Sequence, residues 1–457
     1  MMDTATAARA VSGRLIGANV RFARVTTDSR ALRAGDLFVA LKGERFDGHD
    51  FVPAALAHGA AAALVAADRA PALTGDLIAV ADPLAALGRL AAFWRARFTL
   101  PLAVVVGSNG KTTVKEMLAA ILREEFGADH VLATEGNLNN AIGLPLTLLR
   151  LTEARRAAVI ELGMNHRGET RDLAAIARPT IVVVNNAQRE HQEFMASVAE
   201  VAAEHADAIA ALPRGGLAVV NGDDAHAPVW RAAAAAVGAR VVAFGFAADA
   251  DVRADCTLRP DGSDVAITTP AGRVHTTLAV PGRHMAANAL AATAAALGAG
   301  ASLAAVAAGL AAFRAVRGRL VALHATAGAV VLDDTYNANP DSMRAAIDVL
   351  AAAPGTRWLV MGDMGEVGES GPAFHREIGE YARACGIARL FAVGEQARES
   401  AAAFGTGAAH YASVDALAAT LARDAVAGLT VLVKGSRFMR MERVVDALTG
   451  RGAEGGH

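Results

Sequence analysis

A short glycine-rich segment carries the clearest chemistry in this sequence. The apolar run Val104 to Val106 leads into Gly107-Ser-Asn-Gly-Lys-Thr-Thr113, and a helix-like stretch, Val114 to Leu122, follows. A strand, a tight turn and a helix N-terminus together present backbone N–H groups to a phosphate anion. Lys111 would neutralise phosphate charge, and the Thr112 hydroxyl would reach Mg²⁺. We therefore predict a phosphate-binding loop made of Gly107, Ser108, Asn109, Gly110, Lys111, Thr112 and Thr113.

The loop departs from the usual phosphate-loop pattern in one respect. Its spacing is Gly-x-x-Gly-Lys-Thr, which is two residues shorter than the common form. A glycine turn beside a surface lysine is the alternative interpretation. The apolar strand before the loop and the helix after it favour phosphate binding.

Two further side chains are expected at the same edge of the sheet. Glu161 ends the apolar run Ala157 to Ile160, and His191 follows the next apolar run, Thr180 to Val184. Because parallel strands end at one edge of a sheet, both side chains can reach the phosphate loop. We predict Lys111, Glu161 and His191 as catalytic residues, and Thr112, Glu161 and His191 as Mg²⁺ ligands. Glu161 as a helix cap and His191 as a structural histidine are the open alternatives.

The elements that position these groups form an α/β pattern. Apolar strand-like runs alternate with helical stretches from Leu102 to Val220 and again from Val330 to Val433, which is typical of parallel sheets covered by helices. A shorter pattern of the same kind precedes them, and Asp82-Pro83 reads as a helix start. We predict a small N-terminal α/β domain (1–82), a central phosphate-loop ATPase domain with a parallel sheet (83–320), and a C-terminal Rossmann-like α/β domain (321–457).

Composition excludes several classes of protein. The chain has 44 Lys plus Arg against 46 Asp plus Glu, so it has no overall field that would attract nucleic acid or an anionic membrane. Its 2 cysteines support neither a disulfide framework nor a zinc site. No secretory signal and no apolar run long enough to span a membrane is readable. We expect a cytoplasmic, monomeric protein without membrane insertion.

Several short sequence motifs in the chain resemble those of the Mur ligases. The phosphate loop, Glu161 and Asn185-Asn-Ala-Gln-Arg-Glu-His191 occur in the order seen in that family. Thr27-Asp-Ser-Arg30 and Asp47-Gly-His49 are similar to its nucleotide-sugar domain. The further strings are Thr134-Glu-Gly-Asn-Leu-Asn-Asn140, similar to a substrate loop, and Pro281-Gly-Arg-His-Met-Ala-Ala-Asn288, similar to an adenine-binding segment.

The C-terminal strings narrow the resemblance to one branch of the family. Asp333-Asp-Thr-Tyr-Asn-Ala-Asn-Pro340, Met361-Gly-Asp-Met-Gly-Glu366 and Lys434-Gly-Ser-Arg437 resemble the members that add D-alanyl-D-alanine. An Asp-Asn-Pro-Arg box, which marks the members that add the third residue, is absent from the sequence. Any single asparagine before Pro340 can also be an ordinary turn former.

This resemblance implies an activity, its cofactors and its substrates. The expected activity is ATP-dependent amide-bond formation through an acyl phosphate, with Mg²⁺, between the small molecules UDP-N-acetylmuramoyl-tripeptide and D-alanyl-D-alanine. By the same resemblance Asn288 would contact adenine, Arg319 the phosphates and Asp334 the nucleotide. The implied substrate-binding residues are Ser29, Arg30, Asp47, His49, Thr134, Asn137, Asn139, Asn140, Tyr336, Asn337 and Asn339.

The lysine distribution departs from the family pattern. Many Mur ligases hold a second Mg²⁺ with a carbamylated lysine in the central domain, but this chain has no lysine between Lys115 and Lys434. Either a native carboxylate such as Glu204 or Glu190 replaces the carbamate, or the second ion is held more loosely. The sequence leaves this choice open.

Two other functions are alternatives to this ligase activity. A folylpolyglutamate synthase shares the ligase core, but the N-terminal Asp-Ser-Arg and Asp-Gly-His strings are not expected in it. A non-catalytic nucleotide-binding regulator would explain the missing lysine. The joint presence of Lys111, Thr112, Glu161 and His191 argues against a regulator.

Overall fold

A computed structural model describes residues 1–190 and 192–451. The described residues form three sheets of four or more strands, each flanked by helices, and a two-stranded ladder of β1 and β3. His191, predicted as a catalytic residue and metal ligand, lies outside the described residues. This architecture confirms the α/β class.

The first sheet lies in residues 14–80, which we call the N-terminal unit together with its flanking elements. Its strand order is β2-β7-β6-β5-β4, parallel except for the β2–β7 pair. The elements are β1 Met2–Asp3, α1 Thr4–Ala10, β2 Arg14–Ile16, β3 Arg21–Phe22, β4 Arg24–Thr26, β5 Asp36–Val39, α2 Val52–Ala57, β6 Ala62–Ala66 and β7 Leu77–Val80.

Helix α3, Pro83–Arg95, joins this unit to the next one. As the sequence predicts, it begins at Asp82, whose side chain accepts hydrogen bonds from the Leu84 and Ala85 N–H groups. Pro83 suits the first helical turn because its missing N–H would have no partner there. The apolar side of α3 packs in a core shared with the central sheet, so the two units are in contact.

The central unit is built on a nine-stranded sheet of order β16-β15-β14-β13-β12-β11-β8-β10-β9. Its strands are parallel from β9 to β14, and β14, β15 and β16 form an antiparallel end. The elements are β8 Leu102–Val106, α4 Lys111–Phe126, β9 Val131–Ala133, α5 Gly143–Leu148, β10 Ala157–Glu161, α6 Glu169–Ala177, β11 Ile181–Val184, α7 Val198–Ala210, β12 Leu217–Asn221, α8 Ala227–Val237, β13 Arg240–Gly245, β14 Val252–Arg259, β15 Gly262–Thr269, β16 Gly272–Leu278, α9 Arg283–Gly298 and α10 Leu303–Ala312.

The C-terminal unit contains a six-stranded sheet of order β17-β18-β22-β19-β20-β21. Only the β17–β18 pair is antiparallel. The elements are β17 Val321–His324, β18 Val330–Asp334, α11 Pro340–Ala352, β19 Thr356–Met361, α12 Gly371–Ala384, β20 Arg389–Val393, α13 Ala397–Phe404, β21 Ala408–Tyr411, α14 Val414–Asp424, β22 Leu429–Lys434 and α15 Glu442–Thr449.

The central and C-terminal sheets direct strand ends toward a common space. Strands β8 and β10 end beside the phosphate loop, while β18 and β22 end at Asp334 and Lys434. Ligands of open α/β sheets bind beyond the carboxyl ends of the strands. The domain limits at 82/83 and 320/321 stay a proposal, since the three sheets alone do not fix them.

Candidate functional site

The phosphate loop has the backbone geometry that glycine permits. Gly107 has φ +142° and Gly110 φ +82°, in a region that L side chains rarely adopt. A Cβ on Gly110 would lie 2.5 Å from Oδ1 of Asn288 and 2.6 Å from Nδ2 of Asn185. Helix α4 then begins at Lys111 without a side-chain cap, which leaves its N-terminus open to an anion.

Lys111 lies folded over the loop that precedes it. Its Nζ donates to the carbonyl oxygens of Gly107 at 2.6 Å and Ser108 at 3.2 Å, and to Oε1 of Glu190 at 2.9 Å. This arrangement holds a partly buried positive charge at the point where the loop would receive phosphate oxygens. A bound nucleotide would compete for the same ammonium hydrogens.

Glu161 and Thr112 meet beside the loop. The Thr112 hydroxyl donates to Oε2 of Glu161 at 2.8 Å, and Nδ2 of Asn139 donates to Oε1 at 2.7 Å. Thr134 supports the group from behind, because its Oγ1 accepts the Glu161 backbone N–H at 3.0 Å. Glu161 is buried at 3 % exposure, so its carboxylate is oriented before any ligand binds.

A cluster of amides fixes the loop from the side of β11 and α9. Nδ2 of Asn185 donates to the Asn109 carbonyl at 2.7 Å and to Oδ1 of Asn288 at 2.9 Å. Asn186 contributes its Oδ1 to the Asn109 N–H at 2.8 Å. Asn288 therefore supports the loop as well as facing the cleft that adenine was expected to enter.

The C-terminal unit supplies a charged pair and a stacked pair. Nζ of Lys434 donates to Oδ2 of Asp334 at 2.6 Å and to the Asn337 carbonyl at 2.8 Å. The Arg319 guanidinium lies 4.1 Å from the centre of the Tyr336 ring. Its Nε is buried without a hydrogen-bond partner among the described residues, which is the state expected of a group that awaits an anionic ligand.

Burial shifts two titratable groups near this side. Desolvation lowers the pKa of His284, so the ring is neutral near pH 7. Desolvation also raises the pKa of Asp333, although hydrogen bonds from Thr335 and Gly318 act in the opposite direction. Asp333 anchors the segment that carries Arg319, because its Oδ2 accepts the Gly318 N–H.

Most of these groups line one cleft of about 380 Å³ between the central and C-terminal units. Polar side chains dominate its lining, which suits a charged ligand. Most predicted nucleotide- and substrate-binding residues are brought together there, namely Ser108, Asn109, Gly110, Lys111, Thr112, Thr113, Asn139, Asn140, Glu161, Asn288, Arg319, Asp334, Tyr336, Asn337 and Asn339.

Other predicted residues lie away from the cleft. Gly107 and Thr134 support its lining residues from behind, and Asn137 belongs to the loop between β9 and α5. In the N-terminal unit, Ser29 and Arg30 lie in the loop after β4, and Arg30 is 89 % exposed and paired with Asp28. Ser29 and Arg30 therefore belong to a second candidate surface for the substrate, separate from the cleft.

His49 differs from its expected role. Its Nδ1 lies 2.6 Å from Oδ1 of Asp47, and its Nε2 accepts the Ala66 backbone N–H at 2.9 Å. With 4 % exposure and both ring nitrogens engaged, the imidazole positions the Asp47 loop. Its contacts thus assign the ring to support of this loop rather than to direct contact with substrate.

The prediction of Glu204 as a candidate ligand for a second Mg²⁺ is wrong. Its two oxygens accept the Gly168 N–H at 2.9 Å and the Thr170 N–H at 3.0 Å, so it caps helix α6. It is buried and is not among the residues that line the cleft. The helix-capping contact explains this buried carboxylate.

Sequence reasoning missed several cleft residues. Gln188, His284 and Lys434 line the cleft, although no individual role there was predicted for them. Glu190, one of the two carboxylates predicted as alternatives to the carbamate, also lines the cleft and pairs with Lys111. Lys434 gave a readable signal, since it is a scarce lysine at the end of an apolar strand. Gln188 gave none, because its contact with Asn109 spans 79 positions.

Comparison with family models matches three successive parts of the chain. Residues 21–95 match the catalytic domain of the Mur ligase family, residues 105–296 the Mur ligase middle domain, and residues 317–437 the Mur ligase glutamate ligase domain. These three segments overlap the N-terminal, central and C-terminal units respectively. The matched segments include the phosphate loop and most of both sides of the cleft.

Curated relatives match nearly the whole chain. The UDP-N-acetylmuramoyl-tripeptide–D-alanyl-D-alanine ligase of Escherichia coli is 44 % identical over 97 % of this chain and 97 % of its own. The Bacillus subtilis protein of the same name is 33 % identical over 93 % of this chain and 92 % of its own.

Solved structures give the same result and confirm the ligase fold. MurF from Acinetobacter baumannii is 32 % identical with a TM-score of 0.89, and covers 98 % of this chain and 99 % of its own. MurF from Thermotoga maritima in complex with ADP is 26 % identical with a TM-score of 0.80 over 94 % and 97 %. A Mycobacterium tuberculosis folylpolyglutamate synthase, 18 % identical with a TM-score of 0.64, shares the fold over 81 % of this chain and 95 % of its own. With the family models and the whole-length relatives in agreement, the chain belongs to the Mur ligase family.

Proposed function

We propose that this chain is an ATP-dependent ligase that joins D-alanyl-D-alanine to UDP-N-acetylmuramoyl-tripeptide, a step of peptidoglycan precursor synthesis. The observation that carries the proposal is the cleft in which the phosphate loop faces Asp334, Asn337 and Asn339. The Escherichia coli UDP-N-acetylmuramoyl-tripeptide–D-alanyl-D-alanine ligase, 44 % identical over 97 % of this chain, supports the proposal. Within the described residues, no helix combines the length and apolar character needed to cross a membrane.

The reaction is a two-step condensation. The tripeptide carboxylate attacks the γ-phosphorus of ATP, so a carboxyl O–P bond forms, the β–γ bridging P–O bond breaks, and ADP leaves. The amine of D-alanyl-D-alanine then attacks the acyl carbon, the amine loses a proton, and inorganic phosphate departs as the amide forms. Positioning and charge neutralisation dominate catalysis of phosphoryl transfer.

The central unit carries the first step. The helix α4 N-terminus and Lys111 hold the β- and γ-phosphates, and Arg319 offers its unpartnered Nε to phosphate oxygens. Asn288 lines the same cleft and would contact the adenine. Lys111 exchanges its contacts with Gly107, Ser108 and Glu190 for phosphate oxygens when ATP enters.

The donor atoms beside the loop fit Mg²⁺. Thr112 supplies a hydroxyl and Glu161 a buried carboxylate, and Mg²⁺ prefers such oxygens together with waters and substrate phosphates. No group of three or more His, Cys, Asp or Glu forms a metal cluster within residues 1–190 and 192–451. Bound Mg²⁺ would supply charge neutralisation for the phosphates, with Thr112 and Glu161 as its protein ligands and His191 as a further ligand.

Residues of all three units would contact the substrates. In the N-terminal unit Ser29, Arg30 and Asp47 form the proposed surface for the UDP-sugar end. The peptide end reaches the cleft past Asn137, Asn139 and Asn140, with Thr134 behind them. Tyr336, Asn337 and Asn339 receive the dipeptide from the C-terminal unit, and closure of the cleft keeps water from the acyl phosphate.

A coupled ADP-release assay tests this function. ADP should be released over many turnovers only when ATP, Mg²⁺, UDP-N-acetylmuramoyl-tripeptide and D-alanyl-D-alanine are all present, and mass spectrometry should show the pentapeptide product. Folate with glutamate serves as the control for the rival synthase activity. Repeated turnover that depends on folate and glutamate, or that needs no dipeptide, overturns the proposal.

A further inference from the structure

Arg189 makes a two-sided contact between the central and C-terminal units. It follows strand β11, and its NH2 lies 2.6 Å from Oδ1 of Asp341 while its NH1 lies 2.6 Å from Oε2 of Glu377. Its backbone N–H also donates to Oδ2 of Asp341 at 2.8 Å. Asp341 lies in the first turn of α11 and Glu377 in α12, so one side chain joins two helices of the opposite unit.

The surroundings strengthen this contact. The Arg189 guanidinium lies 5.2 Å from the centre of the Phe374 ring, and its side chain is 22 % exposed. Its carboxylate partners are 23 % and 32 % exposed, so bulk solvent screens them less than fully exposed pairs. A planar fork that satisfies two carboxylates at once is a geometry that arginine supplies and lysine does not.

The residues on either side of Arg189 hold the phosphate loop. Oε1 of Gln188 accepts from Nδ2 of Asn109 at 2.6 Å, and the Gln188 N–H donates to Oγ of Ser108 at 2.9 Å. Oε1 of Glu190 accepts from Nζ of Lys111 at 2.9 Å. Three consecutive residues thus connect the nucleotide-binding loop, through a single peptide segment, with two helices of the C-terminal unit.

We propose that Arg189 is a positioning residue that couples closure of the C-terminal unit to the placement of Lys111 and Asn109 in the phosphate loop. The inference rests on the proposed ligase function and adds a coupling residue to it. When the C-terminal unit closes, Asp341 and Glu377 fix Arg189, and the segment from Gln188 to Glu190 is then held against the loop. When the unit opens, the same segment loses that support.

The matched control lies in the same network. Arg344 belongs to α11 and pairs with Glu377 at 3.0 Å, so this contact stays within the C-terminal unit. Arg344→Ala removes an arginine and an ion pair of the network without removing a contact between units. Comparison of Arg189→Ala, Arg189→Lys and Arg344→Ala therefore separates coupling between units from loss of charge.

The experiment measures steady-state kinetics, thermal unfolding and X-ray scattering on the full chain. We expect Arg189→Ala to lower kcat about 10-fold or more at saturating substrates while the KM for ATP changes less than about 3-fold. Arg189→Lys should recover part of the loss, and Arg344→Ala should stay within about 3-fold of the wild type. Scattering should show compaction by an ATP analogue plus both substrates in the wild type and reduced compaction in Arg189→Ala.

Salt provides a readout that a purely structural role would not change. Raised ionic strength should lower the wild-type kcat and weaken its compaction, whereas Arg189→Ala should respond less because its ion pairs are already gone. Unchanged kcat and compaction in Arg189→Ala overturn the coupling, as does an equal loss in Arg344→Ala. If Arg189→Ala does not fold, the same measurements of kcat, compaction and salt dependence on Arg189→Lys and Glu377→Gln test the coupling. A wild-type chain that forms no pentapeptide refutes the proposed function instead, and the two failures are thereby distinguished.

Discussion

Asn109 and Asn339 exchange two hydrogen bonds across the cleft. Nδ2 of Asn109 donates to Oδ1 of Asn339 at 3.2 Å, and Nδ2 of Asn339 donates to Oδ1 of Asn109 at 3.0 Å. Asn339 is also the N-cap of α11, where its Oδ1 accepts the Ser342 N–H at 2.8 Å. One side chain therefore starts a helix in the C-terminal unit and contacts the phosphate loop of the central unit.

Two substitutions at Asn339 should separate these roles. Asn339→Ala removes the cap and the cross-cleft contact, so the free energy of unfolding should fall by about 1 kcal/mol. Asn339→Ser retains a good cap but is too short for the cross-cleft pair, so stability should hold while kcat falls several-fold. Denaturant unfolding and the ADP-release assay measure the two effects. Wild-type kinetics in Asn339→Ser would exclude a role of the amide pair in closure.

Lys111→Ala should abolish turnover without unfolding the chain. The ammonium neutralises charge that develops during phosphoryl transfer, and loss of such a contact commonly costs on the order of 10²-fold or more in rate. Lys111→Arg keeps the charge with a different shape and should retain more activity than the alanine variant. ADP release is the measurement, with thermal unfolding as the control for folding. Turnover within about 10-fold of the wild type contradicts the phosphate-loop assignment.

Local sequence was sufficient to predict the parts of the site that one strand and one helix build. Strand β8, Leu102–Val106, contains the apolar run Val104 to Val106 that precedes the loop in the sequence, and the loop is set by Gly107 and Gly110. Glu161 ends β10 as expected, because an apolar run that stops at one acid is a local signal. These features depend on backbone rules that act over a few residues.

Contacts between distant segments could not be predicted in the same way. Arg189 and Asp341 are 152 positions apart, and the local sequence around either residue does not predict the other as its partner. Glu204 was misjudged for the same reason, since its hydrogen-bond partners begin a helix 34 to 36 positions earlier. An isolated carboxylate or histidine has several physical uses, and tertiary contacts select among them.

Acid should destabilise the C-terminal unit through His375. This fully buried ring accepts the Met364 N–H at its Nε2 and donates from Nδ1 to the Gly371 carbonyl, so it is neutral in the fold. Burial lowers its pKa from the ordinary value of 6.5. Below pH 6.5 the unfolded chain therefore binds a proton that the folded chain does not, and stability is lost until the folded pKa is reached.

Denaturant unfolding at several pH values measures this effect. The slope due to one proton is at most about 1.4 kcal/mol per pH unit. His375→Gln should flatten the pH dependence below pH 6.5, whereas His410→Gln, at an exposed histidine, should leave it as in the wild type. An equal slope in His375→Gln and the wild type would remove His375 as the cause.

Glu204→Gln should affect stability and leave the Mg²⁺ requirement unchanged. The carboxylate accepts two backbone N–H groups at the start of α6, and the amide of glutamine can replace only one acceptor oxygen. We expect a loss of about 1 kcal/mol in the free energy of unfolding, since the group is buried at 7 % exposure. Activity titrated with Mg²⁺ is the second measurement. A large rise in the Mg²⁺ requirement would restore Glu204 as a candidate ligand.

Activity should not depend on CO₂ or bicarbonate. A carbamate forms on a neutral lysine amine, and no lysine lies between Lys115 and Lys434. The two lysines that line the cleft donate to carboxylates, Lys111 to Glu190 and Lys434 to Asp334. The buried Lys115 donates to Glu116 and to the Thr134 carbonyl. A carbamate on any of these nitrogens would have to give up these contacts.

The test compares the ADP-release rate in CO₂-depleted buffer with the rate after bicarbonate is added back. The two rates should agree within experimental error at every Mg²⁺ concentration. A Mur ligase that has the central-domain lysine is the positive control, because its rate should rise when bicarbonate returns. Reversible stimulation of this chain by bicarbonate would show that one of its own lysines forms a carbamate, and Lys115→Arg would then identify whether the buried lysine of α4 is the one. Without stimulation, any second Mg²⁺ must rely on native oxygen ligands, water and substrate phosphates.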